Sequence, residues 1–303
     1  MKIGLRSVNG TYNMNYGSSL QCFALHSFLS NTFPNDDILY LEHWDDNPVK
    51  EQLTSVLDLY GKKMNAVNDW RMLDKCVFGS DCMMYFNEGT LRESDRTFFL
   101  MGKDIERIFY AVGSEQPQNN ISQECSDLLK SMEYVSIRDM DNQKYIPNSI
   151  VNIDPTLLWD EDWWNSQIEK PEGFDELELN DTAISYCPWF MKDNTSWFKK
   201  PDGCIECFHN ENIKSPFQFL WVLKNCKEIH SYSFHAFIFS LMFNKRLFIH
   251  NAKGNFKICN LMKLLNIRLE DGVFVNREEV FQNMENQRKT SELYLKYMIG
   301  RSI

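Results

Sequence analysis

The feature that most constrains this chain is an alternation. Short apolar runs stop at a glycine, serine or aspartate and give way to segments with apolar residues at helical spacing. The clearest run is Arg107-Ile108-Phe109-Tyr110-Ala111-Val112, which ends at Gly113-Ser114. A run with no polar alternation reads as a strand buried on both faces, the kind found in parallel sheets covered by helices. Residues 2–8 read as a first strand. Asn9-Gly10 opens a turn-rich loop through Asn15-Tyr16-Gly17. Ser18 or Ser19 is then expected to cap a helix carrying Leu20, Phe23, Ala24 and Phe28. Residues 37–42 read as a second strand, which completes a βαβ unit. Residues 49–105 are mostly helical in pattern.

After the polar segment Gln116-Pro117-Gln118-Asn119-Asn120 the alternation resumes. Strands are expected at 134–137, 150–153, 183–186, 229–232 and 247–249, and helices at 217–224 and 234–243. Ser215-Pro216 is a good start signal for the first of these helices. Residues 277–299 read as a long terminal helix with Val280, Met284, Leu293, Leu295, Tyr297 and Met298 as its apolar surface. The expectation is an α/β chain of two doubly wound Rossmann-like domains with a cleft between them. The boundaries read as 1–125 for the N-terminal domain on the acceptor side and 126–275 for the C-terminal domain on the donor side. Residues 276–303 are the helix packing back toward the first.

The chain has 303 residues, which at about 150 per domain agrees with two. Lys and Arg number 32 against 42 Asp and Glu, a net charge of −10, so a surface that tracks nucleic acid is excluded as the main function. Arg6 arrives before any apolar stretch of signal length, and residues 234–243, the longest apolar stretch, span about half a membrane. No integral membrane segment is expected, which leaves peripheral association open. The nine cysteines are scattered without framework spacing, as suits reduced thiols in the cytoplasm.

Several junctions together resemble one family, the polysaccharide pyruvyl transferases. They are Asn15-Tyr16-Gly17 with Leu20-Gln21 and Ala24-Leu25, Gly113-Ser114-Glu115-Gln116, Ser136-Ile137-Arg138-Asp139 and Asp154-Pro155-Thr156-Leu157-Leu158. Ser215-Pro216 with Phe219-Leu220, Ser233-Phe234-His235-Ala236, and Asn255-Phe256-Lys257-Ile258 complete the series in the family's order. The resemblance implies a glycosyltransferase-B-like fold. It also implies transfer of pyruvate from phosphoenolpyruvate onto two hydroxyls of a sugar, forming a ketal on a capsule or exopolysaccharide precursor. The partners implied are a small-molecule donor and a saccharide or lipid-linked saccharide acceptor. No cofactor is implied beyond the donor. Against the family pattern, Glu115 stands for Asp, Ala236 for Gly, Lys257 for Arg, and Ser233 for the Arg of one branch. A further family strand between the Gly-Ser-acid motif and Arg138 is expected to be missing.

Phosphoenolpyruvate carries a phosphate and a carboxylate, so its site needs cations and helix N-termini. Arg138 follows a strand directly and is the first candidate ligand; its alternative is a surface pair with Asp139 or Asp141. Lys257 is the second cation, with a solvated lysine as the alternative. His235 lies in the first turn of a helix that Ser233 can cap. A helix N-terminus disfavours imidazolium and a bound phosphate reverses that bias, so His235 suits a general acid that protonates the enol. Its alternative is a packed junction residue. Asn15, Tyr16, Gly17 and Ser114 are read as further substrate contacts, and Glu115 as a base for the sugar hydroxyl. Arg6 and His230 read as structural. Cys204, Cys207 and His209 lack a fourth ligand at zinc-site spacing, so no metal is expected. Trp159, Trp163, Trp164, Trp189 and Trp197 could stack on sugars or pack. Two rival functions remain, a nucleotide-sugar-dependent glycosyltransferase of the same fold and a non-catalytic glycan-binding relative.

Overall fold

The buried run expected at 107–112 forms the strand Glu106–Val112, in which Ile108 to Val112 are all 2% exposed or less. The computed structural model describes residues 1–8, 15–42, 54–81, 86–87, 90–91, 105–114, 135–146, 148–187, 198, 201–208, 210–250 and 254–300, with positions 123, 127 and 130. In chain order its elements begin with β1 (Lys2–Arg6), α1 (Tyr16–Thr32), β2 (Asp37–Leu41), β3 (Thr54–Leu59), β4 (Lys62–Val67) and β5 (Lys75–Phe78). There follow β6 (Phe86–Asn87), β7 (Thr90–Leu91), β8 (Glu106–Val112), β9 (Val135–Ile137) and β10 (Ser149–Val151). Next are α2 (Glu161–Asn165), α3 (Glu176–Asn180), β11 (Ala183–Tyr186), β12 (Ile205–Glu206), α4 (Pro216–Asn225), β13 (Glu228–Ser231) and α5 (Phe234–Met242). The chain ends with β14 (Arg246–Ile249), α6 (Phe256–Leu265), β15 (Leu269–Glu270), β16 (Val273–Phe274) and α7 (Arg277–Gly300). The protein is therefore mixed α/β, with seven α-helices among the described residues. No described helix is long and apolar enough to cross a membrane.

Two compact units divide the chain. Met1–Asn9, Gln21–Leu158 and Asn286–Ile303 form the first; Gly10–Leu20 and Trp159–Glu285 form the second. The first holds an eight-stranded sheet in the order β10-β9-β8-β5-β1-β2-β4-β3. All its pairings are parallel except that of β3 with β4. Its core includes Leu41, Val67, Phe78, Phe109, Val112, Val135 and Ile137. The second holds a four-stranded parallel sheet, β12-β11-β13-β14. In a parallel sheet the carboxyl ends of all strands lie on one edge. The loops and helix N-termini that follow them gather there, and ligands bind where the strand order reverses.

Four expectations are corrected. Among its described residues the segment 49–105 is not mainly helical: they form β3 to β7 and one short 3-10 turn, Trp70–Met72. β3 is an edge strand with an exposed Val56, and β5 is only four residues long and contains a lysine. Lys75 is polar in the sequence, yet its ammonium lies 2.8 Å from Glu106, its register partner on β8. Second, β9 and β10, read as opening the second half, pair into the first sheet. Third, α1 begins at Tyr16, with Asn15 and not Ser18 or Ser19 accepting at its start. Fourth, Leu293 and Tyr297 of α7 are 67% and 56% exposed, while Val280, Met284, Tyr294, Leu295, Met298 and Ile299 are buried. Within the first unit, Tyr294 donates to the Phe109 carbonyl (2.8 Å), Ser291 to Asn152 (3.1 Å) and Arg288 to the Leu157 carbonyl (3.1 Å). Ser215 caps α4 through Gln218 N with Pro216 inside, as the sequence indicates.

Candidate functional site

In the second unit three capped helices start beside one another. Asn15 Oδ1 accepts from Ser18 N (3.4 Å) at the start of α1, a helix of 17 residues. Ser233 Oγ accepts from Ala236 N (3.4 Å) at the start of α5, which has nine residues. Asn255 Oδ1 accepts from Ile258 N (3.2 Å) at the start of α6, which has ten. The first turns of α1 and α5 touch: a Cβ placed on Gly17 would lie 2.1 Å from His235 Nδ1 and 2.6 Å from Cγ. The bare Gly17 backbone is therefore one wall of the imidazole's pocket. The α6 cap is tied to the same loop, because Asn255 Nδ2 donates to the Tyr232 carbonyl (2.7 Å).

The strand ends explain why these groups meet. The chain passes from β11 to β12 on one side and back to β13 on the other, so the order reverses between β11 and β13. Ser231, the last residue of β13, donates from Oγ to the Tyr186 carbonyl at the end of β11 (2.6 Å) and accepts from Ser233 N (2.9 Å). These bonds fix the turn that launches His235, which is 7% exposed. Tyr16 anchors the other side. It is fully buried, its ring stacks 6.2 Å from that of Tyr186 and lies 5.3 Å from Phe219, and its hydroxyl donates to the Ile213 carbonyl (2.7 Å). Lys257 is half-buried in the first turn of α6. Helix N-termini carry partial positive charge, so converging starts with His235 and Lys257 among them favour an anion.

Of the residues predicted from sequence, Asn15, Tyr16, Gly17, Ser233, His235 and Lys257 thus fall in one unit. Asn15 and Ser233 are found as caps and Tyr16 as a core anchor, which are structural duties. Arg138 and Ser114 belong to the first unit. Glu115, Trp189, Trp197 and His209 lie outside the described residues.

In the first unit Arg138 follows β9 and is 5% exposed. Its guanidinium is paired with carboxylates distant in sequence: Nη1 lies 2.7 Å from Asp154 Oδ2 and Nη2 lies 3.6 Å from Asp81 Oδ1. The guanidinium crosses the end of β8, where a Cβ on Gly113 would lie 2.4 Å from Nε. Asp154 also accepts from Gln21 Nε2, from Thr156 N (3.0 Å) and from Thr156 Oγ1 (2.7 Å). Asp139 accepts from Ser114 N (2.7 Å), and Ser114 Oγ from Asn142 (2.7 Å), so Ser114 is held in a buried polar network.

Asp81 and Asp154 were missed as a pair around Arg138. A signal for Asp81 existed, since the Gly-Ser-acid triplet occurs twice, as Gly79-Ser80-Asp81 and as Gly113-Ser114-Glu115. The first ends β5, and β8 with Tyr110-Ala111 lies between it and Arg138 in the sheet. Arg6 is structural: its Nη1 donates to the carbonyls of Leu41 (3.0 Å) and Glu42 (2.8 Å). Buried His230 sits between Glu228 (3.3 Å) and His250 (3.4 Å). Trp159 and Trp163 stack at 4.1 Å, and fully buried Trp164 meets Phe239 edge-on.

Residues 15–249 match the family model described as polysaccharide pyruvyl transferase. No curated protein matches the chain.

Proposed function

Because the chain belongs to the polysaccharide pyruvyl transferase family, we propose that it moves pyruvate from phosphoenolpyruvate onto two hydroxyls of one sugar in a surface-polysaccharide precursor, closing a ketal. The observation that carries this reading is the seat of His235, at the start of α5 against the backbone of Gly17 at the start of α1. A trianionic donor suits such a place. The helix starts and Lys257 attract its phosphate, and the arriving charge favours the imidazolium that the helix end alone disfavours. His235 is then the acid that protonates the enol methylene carbon. This leaves an oxocarbenium-like centre at C2 for a hydroxyl to attack. Lys257 is a point charge, so it grips the phosphate without the fork an Arg would offer.

In the first unit Arg138, held by Asp154, is proposed as a further anion ligand, with Ser114 in the same unit. The fold proposed is two Rossmann-like domains of glycosyltransferase-B type. The site of action proposed is the cytoplasmic face, where lipid-linked precursors are built. The enzyme needs no cofactor beyond its donor in this reading.

The test pairs calorimetry with phosphate release. Phosphoenolpyruvate should bind the wild type, and phosphate should appear only when a suitable glycoside is added. His235→Gln should keep donor affinity and lose about 10²–10⁴-fold in turnover, the worth of general acid catalysis. Stabilisation by a nucleotide sugar and none by phosphoenolpyruvate would replace this reading with a glycosyltransferase. Oligosaccharide binding with no phosphate release would replace it with a glycan-binding protein.

A further inference from the structure

The first unit holds a cleft of about 600 Å³ on one face of its sheet, over β1, β2, β4 and β3. Strand register puts its lining together. Lys2 is the partner of Asp37 on β2, Leu41 of Val67 on β4, and Asn65 of Val56 on β3. Side chains alternate along a strand, so Asp37 and Leu39 share the face of Leu41, and Asn65 shares that of Val67. The connection from β4 to β5 explains the opening. Parallel strands are usually joined by a helix that covers the sheet. Here residues 68–74 supply one 3-10 turn, Trp70–Met72. Leu73 settles on Gly4 of β1, where a Cβ would lie 2.3 Å from its Cδ1, and Met72 becomes a wall of the cleft.

The cleft has an apolar floor and a polar rim. Leu39 and Met72 pack on the core that contains Val67. Lys2, Asp37 and Asn65 are exposed. Among the described residues, the Lys2 ammonium, the Asp37 carboxylate and the Asn65 amide take part in no ion pair or side-chain hydrogen bond. They offer donors, acceptors and one group that is both. One cation and one carboxylate leave the lining without net charge, so nothing in it selects a phosphate or another anion. The volume falls within the range of about 300–1,000 Å³ for small-ligand sites, which combine apolar walls with a few polar groups. A neutral saccharide answers each of these features. Its C–H faces suit Leu39, Val56 and Met72, and its hydroxyls both donate and accept. Lys2 and Asp37 open β1 and β2, so the cleft lies toward the amino ends of these strands. Ligands of such sheets usually bind at the carboxyl ends, so this is a second place for one.

We propose that this cleft is a saccharide-binding site, separate from the loops at the carboxyl ends of the strands, which holds a neutral segment of the polysaccharide. It rests on the family's saccharide acceptor and not on the pyruvyl-transfer reading, so the two can fail independently.

The experiment reads wild type and two variants on an array of neutral oligosaccharides, then by calorimetry with the oligosaccharide bound best, beside melting temperature. Asn65→Trp fills the cleft from an exposed strand position that an aromatic side chain suits. It should melt like wild type and lose the array signal. Asp37→Asn removes a charged acceptor and should weaken binding about 10-fold. It decides the matter if Asn65→Trp does not fold. A wild type that binds none of the oligosaccharides would overturn the proposal. So would binding that persists in Asn65→Trp, or an unchanged affinity in Asp37→Asn, since the sugar would then sit elsewhere. Phosphate release from phosphoenolpyruvate is measured on the same wild-type sample. Oligosaccharide binding lost in Asn65→Trp, with no phosphate release by wild type, would keep this site and discard pyruvyl transfer. Phosphate release beside a blank array would discard this site alone.

Discussion

Replacing Gly17 with alanine tests whether the start of α1 holds His235 in place. The added Cβ would sit 2.1 Å from Nδ1, 2.6 Å from Cγ and 3.0 Å from Cε1. Ordinary carbon–nitrogen contact needs more than 3 Å, so the ring must move by about 1 Å or α1 must back away. Backing away is opposed by Tyr16, which is buried between Tyr186 and Phe219 and bonded to Ile213. Overpacking of this kind costs about 1–3 kcal/mol. Alanine recovers about 1 kcal/mol of helix propensity over glycine. The net loss of stability should be about 0–2 kcal/mol, while a catalytic group displaced by about 1 Å costs turnover on the order of 10²-fold. Melting and phosphate release on Gly17→Ala should therefore show a small stability change beside a large kinetic one. A double-mutant cycle sharpens the test, because His235→Ala removes the ring and the clash with it. In that background Gly17→Ala should be neutral or stabilising, giving a coupling of about 1–3 kcal/mol. Additive effects, or a fully active Gly17→Ala, would refute the wall that Gly17 is argued to form.

Other outcomes follow from the same contacts. Asp154→Asn should cost about 3 kcal/mol in denaturant unfolding, because it takes the nearer of two carboxylates, at 2.7 Å, from the buried Arg138 guanidinium and leaves Asp81 at 3.6 Å. Trp164→Ala should cost about 3–5 kcal/mol, since Trp164 is wholly buried edge-on against Phe239. Burial lowers the pKa of His26, so the folded state binds fewer protons than the unfolded one. The stability this contributes is present above the unfolded value and is lost as pH falls below it, and His26→Gln should flatten that acid limb of the melting curve. Burial pushes the thiols of Cys22 and Cys226 up to about 12, so both should resist alkylation of native protein at pH 8 while the half-buried Cys204 and Cys259 react ahead of them, as mass spectrometry of labelled peptides would show.

What was legible in the sequence was local chemistry. Ser215-Pro216 starts α4 and Ser233 starts α5 because a cap and the helix it serves are neighbours in the chain. β8 was visible because a strand buried on both faces needs an unbroken apolar run. What was hidden depends on partners distant in sequence. Lys75 made β5 look like part of a helix until Glu106 was found across from it. With β5 hidden, Asp81 in the loop after it is not a candidate from the sequence. Arg138 was given Asp139 and Asp141 as candidates because they are close in sequence, whereas Asp154 reaches it from the end of the neighbouring strand. Leu293 and Tyr297 share an i, i+4 spacing that suggests a buried stripe, but the packed face of α7 is the one carrying Ser291, Tyr294, Leu295 and Met298. Gly17 was read as a place where backbone approaches a ligand. The group it approaches is His235, and no spacing rule connects those two positions.

The most direct test of the central claim is the mass of an acceptor after incubation with the purified protein and phosphoenolpyruvate. A panel of lipid-linked and nitrophenyl glycosides should yield at least one product heavier by a pyruvate less water, with one phosphate released for each product formed. Unchanged acceptors throughout the panel, or a product enlarged by a sugar from a nucleotide sugar, would contradict the account.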